Sequence, residues 1–277
     1  LASATFRTVL GRLPRTFRDR AQDVTLESSE RGFLIDLMKL HASDETPLAV
    51  SFLDALVQRR ECRDFARAVS SFCQQMIDSI DRGGRVFIVC CGTSYHAAKA
   101  ACLFFNELAS TEVLALLPGE FRGQYAQTVR DGDLFIAVSQ SGETKDLIDV
   151  VNGVIASGVD INRVAIVNNV NSTLGQEKAE LVIPLRCGPE IAVPATKSFI
   201  NQLTVFYCLA VRLAERRLTT GHVIPGQAET AELSRRNLEL PNLPSLIRKT
   251  IEDTAPAVDE AAKLLYLAPS MHLLATR

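Results

Sequence analysis

The stretch that decides the fold is Leu-Phe-Ile-Ala-Val-Ser-Gln-Ser-Gly-Glu-Thr, at residues 134–144. Its first five residues are continuously apolar, which predicts a buried strand, and residues 146–151 have the pattern of a helix start. The polar residues between them therefore form a strand-to-helix turn. Such a turn directs backbone N–H groups and side-chain donors toward one place at the positive end of a helix. It is suited to an anion such as a phosphate.

The hydroxyl groups of this turn allow a second interpretation, because Ser and Thr also cap helices without binding any ligand. A cap needs one hydroxyl, however. The turn holds three, from Ser139, Ser141 and Thr144. The surplus favours a ligand site over a simple helix cap.

The same alternation of strand and helix continues on both sides of the turn. Apolar runs predict strands at residues 85–90, 112–117, 134–138, 163–167 and 181–185. Helical spacing predicts helices at residues 94–109, 120–127, 145–156 and 194–213. Strands that alternate with helices pair in parallel through right-handed crossovers, and continuously apolar strands indicate a sheet covered on both faces. We therefore predict an α/β fold, a doubly wound five-stranded parallel sheet flanked by helices.

The residues before the first strand predict an N-terminal helical extension. Helices are expected at residues 33–40, 47–59 and 61–81, and the last ends at Gly83-Gly84. Residues 1–22 are rich in Arg and poor in acids, which fits either a targeting segment or a linker. We favour the linker, because the arginines form no clean amphipathic face.

The residues after the main domain are less regular. A polar linker with room for one helix is predicted at residues 216–242, followed by helices at 243–252 and 256–264. A strand predicted at 270–276 either begins a second, incomplete α/β unit or adds to the edge of the first sheet. The predicted divisions are residues 1–60, 61–215 and 216–277.

The composition excludes several functions. A net charge of -2 over 277 residues does not indicate the basic surface that binds nucleic acid. No apolar run is long enough to span a bilayer. The seven Cys are dispersed and form no CxxC pair. This pattern argues against a metal site and for a reducing compartment. We expect a cytoplasmic protein without a metal.

Three polar loops follow predicted strands, at residues 91–94, 139–144 and 188–193. Ligands of doubly wound sheets bind beyond the carboxyl ends of the strands. No loop matches GxGxxG or GxxxxGK[ST], so dinucleotides and nucleoside triphosphates are poorly supported. Hydroxyl-rich loops without a lysine suit a monophosphate with a polar body, such as a sugar phosphate, and no cofactor is indicated.

The loops, taken together, resemble a known family. Residues 91–95, 139–144, 190–193 and 195–197 match, in order and spacing, the motifs of the sugar isomerase (SIS) domain, most closely the version found in glucosamine-6-phosphate synthases. The resemblance implies that five side chains hold a phosphate: Ser94, Ser139, Gln140, Ser141 and Thr144. It also implies that Thr93 touches sugar hydroxyls and that the backbone of Val193 contacts the sugar chain.

The resemblance implies a ketose/aldose isomerase or aminotransferase acting on hexose or amino-sugar phosphates such as fructose 6-phosphate or glucosamine 6-phosphate. In that family the catalytic glutamate, histidine and lysine belong to a second SIS domain and a C-terminal tail, so no catalytic residue is assigned here. A sugar-phosphate sensor without catalytic activity is the alternative to an enzyme. An unrelated nucleotide-binding domain is a third hypothesis. A homodimer is also implied.

Other reactive side chains near the loops are interpreted as structural. Glu143 fits a helix-dipole partner better than a ligand. His96, one turn inside a helix, does not match the family's catalytic histidine. Cys90 and Cys91 end an apolar strand and are interpreted as packing residues, because no paired His is indicated.

Overall fold

A five-stranded sheet, parallel throughout, forms the centre of the fold. The computed structural model describes residues 45–190, 196–221, 227–268 and 270. The strands are β1 (Val86–Cys90), β2 (Leu114–Leu116), β3 (Leu134–Ser139), β4 (Asn162–Val167) and β5 (Leu181–Pro184). Their spatial order is β2-β1-β3-β4-β5. The predicted doubly wound parallel sheet is confirmed.

Helices connect and flank the strands. They are α1 (Glu45–Asp81), α2 (Thr93–Ala109), α3 (Pro118–Gln124), α4 (Lys145–Ala156), a π-helical turn (Leu174–Lys178), α5 (Lys197–Thr219), α6 (Gln227–Glu239), a 3-10 turn (Leu240–Asn242) and α7 (Leu243–Leu265).

Both faces of the sheet are covered by apolar clusters. One cluster contains Phe72, Phe105 and Phe206, from α1, α2 and α5. The other contains Phe121 and Leu147, from α3 and α4. Each of these side chains contributes about 1.5 to 3 kcal/mol by leaving water. Since successive strand residues point to opposite faces, strands covered on both sides must be apolar along their length, as β1 is throughout and β3 is up to its last residue, Ser139.

The long helix α1 corrects a predicted boundary. Separate helices were expected at residues 47–59 and 61–81, whereas one helix runs from Glu45 to Asp81. No Gly or Pro lies between residues 48 and 82, so nothing in the sequence ends the helix near residue 60. The chain turns at Gly83, whose φ of 68° is left-handed.

The C-terminal helices also differ from the prediction. The helices expected at 243–252 and 256–264 form one continuous helix, α7, with Pro256 inside it. Proline removes one N–H donor, but the alanines around it sustain the helix. Helix α5 runs beyond its expected end at residue 213. The helix predicted at 33–40, and all but Ser270 of the strand predicted at 270–276, lie outside the described residues.

Candidate functional site

The chain changes direction along the sheet between β1 and β3. After β1 it crosses to β2 on one side, and after β3 it proceeds to β4 on the other. Cys90 pairs with Val138, so the two strands end side by side. The loops at residues 91–94 and 139–144 therefore leave the sheet next to each other at its carboxyl end. In doubly wound sheets this crevice is where ligands bind.

The turn at residues 139–144 packs tightly against the loop that follows β4. Gly142 has a φ of 71°, and a Cβ added there would lie 1.9 Å from the Oγ of Ser172. The carbonyl of Gly142 accepts a hydrogen bond from the N–H of Leu174 at 3.2 Å, and the carbonyl of Gln140 accepts one from Asn168 at 3.2 Å. Only glycine meets both the backbone and the space requirement at position 142.

Glu143 holds the same two segments together. Its carboxylate accepts hydrogen bonds from the N–H of Thr173 at 2.7 Å and from the Thr173 hydroxyl at 2.8 Å. These two bonds lower the pKa of Glu143 below its ordinary value, the backbone bond most of all. The carboxylate therefore faces the start of the π-helical turn rather than that of α4. Glu143 was predicted to interact with a helix dipole rather than with a ligand. In the structure its carboxylate bonds to Thr173, which directly precedes the π-helical turn.

The hydroxyl oxygens of the turn act as acceptors within the turn itself. Ser139 Oγ accepts from the N–H of Gly142 at 3.0 Å and shares a 2.9 Å hydrogen bond with Thr144 Oγ1. Ser141 Oγ accepts from the N–H of Glu143 at 3.1 Å. A hydroxyl can accept and still donate its proton. Within the described residues, one proton of the Ser139–Thr144 pair and the proton of Ser141 are not used in these bonds.

The first turns of two helices face this edge of the sheet without a side-chain cap. Gly92 precedes α2 and Thr144 precedes α4, and neither makes a side-chain capping bond. The Thr144 hydroxyl is bonded to Ser139 instead. The simple-cap interpretation therefore does not describe the hydroxyls of the central turn, and the positive ends of both helices retain backbone N–H groups for an anion.

Ser94 lies in the first turn of α2 and links the first loop to α5. Its Oγ accepts a 2.9 Å hydrogen bond from Nε2 of Gln202, a buried side chain on α5. Helices α2 and α5 pack against each other along the same face of the sheet. Ser94 is itself buried, and the Gln202 contact uses its oxygen rather than its proton.

Two further predicted contacts, Thr93 and Gln140, lie at the carboxyl end of the sheet. Thr93 is the exposed first residue of α2, and Gln140 is half-buried directly after β3. The adjacent ends of β1 and β3 thus bring the residues of the first two motifs together. Whether each of these side chains touches a ligand stays a prediction.

The third predicted loop is held at its start by Asn168. Asn168, at the end of β4, donates from Nδ2 to the carbonyl of Gly188 at 2.8 Å and accepts from the N–H of Cys187 at 3.0 Å. Val193, to which a backbone contact with the sugar is attributed, lies with residues 191–195 outside the described residues.

Helix α5 differs from α2 and α4 because a carboxylate occupies its start. Glu190 Oε1 accepts from the N–H of Lys197 at 2.9 Å and from that of Ser198 at 3.4 Å. The Ser198 hydroxyl and these N–H groups lower the pKa of Glu190. Its negative charge already satisfies the positive end of α5, which leaves α2 and α4 as the open helix ends.

Gln202 and Thr173 are among the partners in this region that were not predicted. Gln202 carried a signal, since it is a polar residue among the apolar positions of a predicted helix, beside Phe199 and Leu203. Thr173 carried none, because its contact with Glu143 joins residues far apart in the sequence.

The thiols near the site are poorly suited to act as nucleophiles. Burial raises the pKa of Cys90 and of Cys91, which favours the neutral thiol over the reactive thiolate. All seven Cys are free. In the described part of the chain no group of His, Cys, Asp or Glu is arranged to hold a metal ion. None of the described helices has the length and hydropathy needed to cross a bilayer.

Comparison with known proteins identifies relatives of this chain. The family model of the SIS domain matches residues 79–212. The glutamine–fructose-6-phosphate aminotransferase (isomerizing) of Bradyrhizobium diazoefficiens is 36% identical over 186 residues, which is 66% of this chain and 29% of that protein. The enzyme of the same name from Pyrobaculum aerophilum is 40% identical over 189 residues, which is 68% of this chain and 29% of that protein.

A solved structure shares the fold. The C-terminal domain of glucosamine-fructose-6-phosphate aminotransferase from Francisella tularensis matches 73% of this chain and 57% of that one, with a TM-score of 0.54 and 21% identity. This chain spans under a third of the length of the two curated relatives. The chain therefore carries a SIS domain, at residues 79–212, and is related to the glutamine–fructose-6-phosphate aminotransferases.

Proposed function

We propose that this protein binds a hexose or amino-sugar phosphate, such as fructose 6-phosphate or glucosamine 6-phosphate, and serves as an isomerase or aminotransferase. The phosphate would lie at the loops of residues 91–94 and 139–144. The names of the curated relatives support the substrate class. The observation that carries the proposal is the use of the hydroxyl oxygens as internal acceptors, which leaves protons for a bound anion.

The donors at this site are neutral, and this suits a small anion. Neither loop contains Lys or Arg, so the phosphate would be held by hydroxyl protons and by the N–H groups at the starts of α2 and α4. Hydrogen bonds to a charged acceptor are stronger than those between neutral groups. Ser94, Ser141 and the Ser139–Thr144 pair would each supply one.

Neither carboxylate beside the site is placed to move a proton between C1 and C2 of a sugar. Glu143 and Glu190 are both held by N–H groups that favour their ionised forms. An efficient general base instead has a pKa close to the working pH. We therefore propose that this chain's described residues supply the phosphate-binding part of the site and that the base comes from elsewhere.

Calorimetric titration tests the proposal. Fructose 6-phosphate and glucosamine 6-phosphate should bind, whereas fructose, NAD and ATP should not. Ser141→Ala and Thr144→Val should each weaken binding by about 1 to 3 kcal/mol, as expected for the loss of a hydrogen bond to a charged group. Ser157→Ala is the matched control, because Ser157 donates to the carbonyl of Val154 at the other end of α4. Equal binding of fructose, or unchanged affinity in both site variants, would contradict the proposal.

The engaged carboxylates also favour a second candidate, a sugar-phosphate sensor without catalytic activity. Both candidates predict binding of fructose 6-phosphate, so activity separates them. Formation of glucose 6-phosphate, or of glucosamine 6-phosphate when glutamine or ammonia is present, supports the enzyme. Because the base is proposed to come from outside the described residues, the assay uses the full-length natural protein, and tight binding without either product then supports the sensor.

We further propose a homodimer in a reducing compartment, the cytoplasm, with the main domain at residues 61–215. The free state of all seven Cys supports the compartment. Exposed apolar residues on α7, among them Leu246, Ile251 and Val258, support an additional contact surface. Sedimentation equilibrium should give twice the mass of one chain, and a single-chain mass at all concentrations would remove the dimer.

A further inference from the structure

A buried amide between α2 and α5 is only half satisfied. Gln202 is 1% exposed, and its Nε2 donates to Ser94 Oγ at 2.9 Å. Its Oε1 is also buried and has no hydrogen-bond partner in the described part of the chain. Buried polar atoms without a partner cost free energy and are uncommon in folded proteins. An apolar side chain of the same length would fill this position without that cost, so the amide calls for an explanation.

The explanation lies in the proton of Ser94. A serine hydroxyl has one proton and two acceptor positions. Because Gln202 approaches with an N–H group, it occupies an acceptor position and cannot take the proton. Without that donor the hydroxyl would rotate, and serines near a helix start readily bond to backbone carbonyls. The amide therefore restricts the proton of Ser94 to other acceptors.

The opposite orientation of the amide would use up the Ser94 proton. If Oε1 faced Ser94, the hydroxyl would donate to it, and neither N–H donor of the amide would have the Ser94 oxygen as its acceptor. In the structure Nε2 faces Ser94 and donates to its Oγ. The observed orientation is therefore the one that keeps the Ser94 proton available.

We infer that Gln202 is a positioning residue for the phosphate site: its amide holds Ser94 Oγ as an acceptor, so that the Ser94 proton is directed to the phosphate of the bound sugar. The inference rests on the proposed function. It adds a residue from α5 to a site otherwise built from the loops that follow β1 and β3.

A double-mutant cycle tests the coupling, with Ser94→Ala, Gln202→Met and the double variant titrated with fructose 6-phosphate. Ser94→Ala should weaken binding about tenfold or more, and Gln202→Met about three- to tenfold. The double variant should bind no more weakly than Ser94→Ala alone. Gln202→Leu repeats the cycle with a second apolar side chain, in case the methionine packs poorly.

The control is Thr204→Val on the same helix, because the Thr204 hydroxyl donates to the carbonyl of Ile200. This variant should bind fructose 6-phosphate with the affinity of the parent protein. Equal weakening by Gln202→Met in both Ser94 backgrounds would show that Gln202 acts through packing and would overturn the inference. So would an unchanged affinity in Gln202→Met while Ser141→Ala still weakens binding, and in that case the proposed function stands. A parent protein that does not bind fructose 6-phosphate would overturn both.

Discussion

The amino and carboxyl ends of the parallel strands form two edges of the sheet, and their polar groups differ in charge and in hydrogen bonding. At the amino end, Asp133 is 1% exposed, and its carboxylate accepts hydrogen bonds from the N–H of Arg85 at 2.7 Å, from the Arg85 guanidinium at 2.6 Å and from the N–H of Arg130 at 3.1 Å. At the carboxyl end, Ser141 and Thr144 are neutral and keep donor capacity. One edge is closed by paired charges, and the other keeps the neutral donors at which we propose that a ligand binds.

Because of this difference, we expect the paired charges of the amino end to contribute to stability and the hydroxyls of the carboxyl end to contribute to ligand binding. A buried charge is tolerated only when it is paired and hydrogen-bonded, so the amino end must be complete before any ligand arrives. Neutral hydroxyls cost less to leave partly unpaired, and they can exchange water for a phosphate. Substitutions of the paired charges at the amino end should therefore change stability, and substitutions of the hydroxyl side chains at the carboxyl end should chiefly change affinity.

The largest expected effect is at Asp133. Asp133→Ala leaves the buried part of Arg85 without its partner and should lower the free energy of unfolding by about 3 to 5 kcal/mol. Urea denaturation measures this loss. Asp131→Ala is the control, because Asp131 is exposed and accepts one hydrogen bond from the N–H of Asp160. Similar losses in the two variants would show that the buried pair has no special weight.

The next largest effect is at Gly142, where a methyl group meets Ser172 and the backbone is left-handed. Gly142→Ala should cost about 3 kcal/mol, from the strained φ together with overpacking, and it should also weaken binding of fructose 6-phosphate. Gly158, after α4, has a similar left-handed φ of 70°, but a Cβ added there would meet no atom within 4 Å, so Gly158→Ala is the control. It should cost about 1 kcal/mol and leave affinity unchanged. Equal costs would mean that the turn is not packed against Ser172.

The smallest effect depends on pH and involves Glu143. Its lowered pKa means that the ionised carboxylate stabilises the folded state. This contribution is fully present above the ordinary value of 4.5 and is lost as the pH falls through the lower folded-state value. Without ligand, Glu143→Gln should lower the melting temperature at pH 7, and the difference from the parent should shrink at more acidic pH.

The control for this pH series is Glu177→Gln, an exposed carboxylate on the π-helical turn. It should have the melting temperature of the parent at each pH. A deficit in Glu143→Gln that stays constant down to acidic pH would contradict the assigned role of the ionised Glu143 carboxylate.

The sequence predicts the sheet well because buried parallel strands are continuously apolar. The observed bounds of β1 and β3 differ from the predicted ones by one residue at one end. The break predicted near residue 60 was wrong because apolar spacing was read as two helices although no helix breaker separates them. The break predicted before Pro256 was wrong for a different reason, since a helix breaker is present there and the helix continues through it.

The site is predicted less completely, because its geometry depends on contacts between distant residues. The hydroxyls of the central turn could be recognised from their number and place after a strand. Two sets of hydrogen bonds depend on how the turn packs against the loop after β4: the one between Ser139 and Thr144, and those that Glu143 accepts from Thr173. Gln202 depends on how α5 packs against α2.

The most direct test of the open edge is a crystal structure of the protein with fructose 6-phosphate. We predict the phosphate within hydrogen-bond distance of the hydroxyls of Ser94, Ser141 and Thr144, at the first turns of α2 and α4. A phosphate bound instead at the amino end of the sheet, beside Arg85, would contradict the assignment of the two edges.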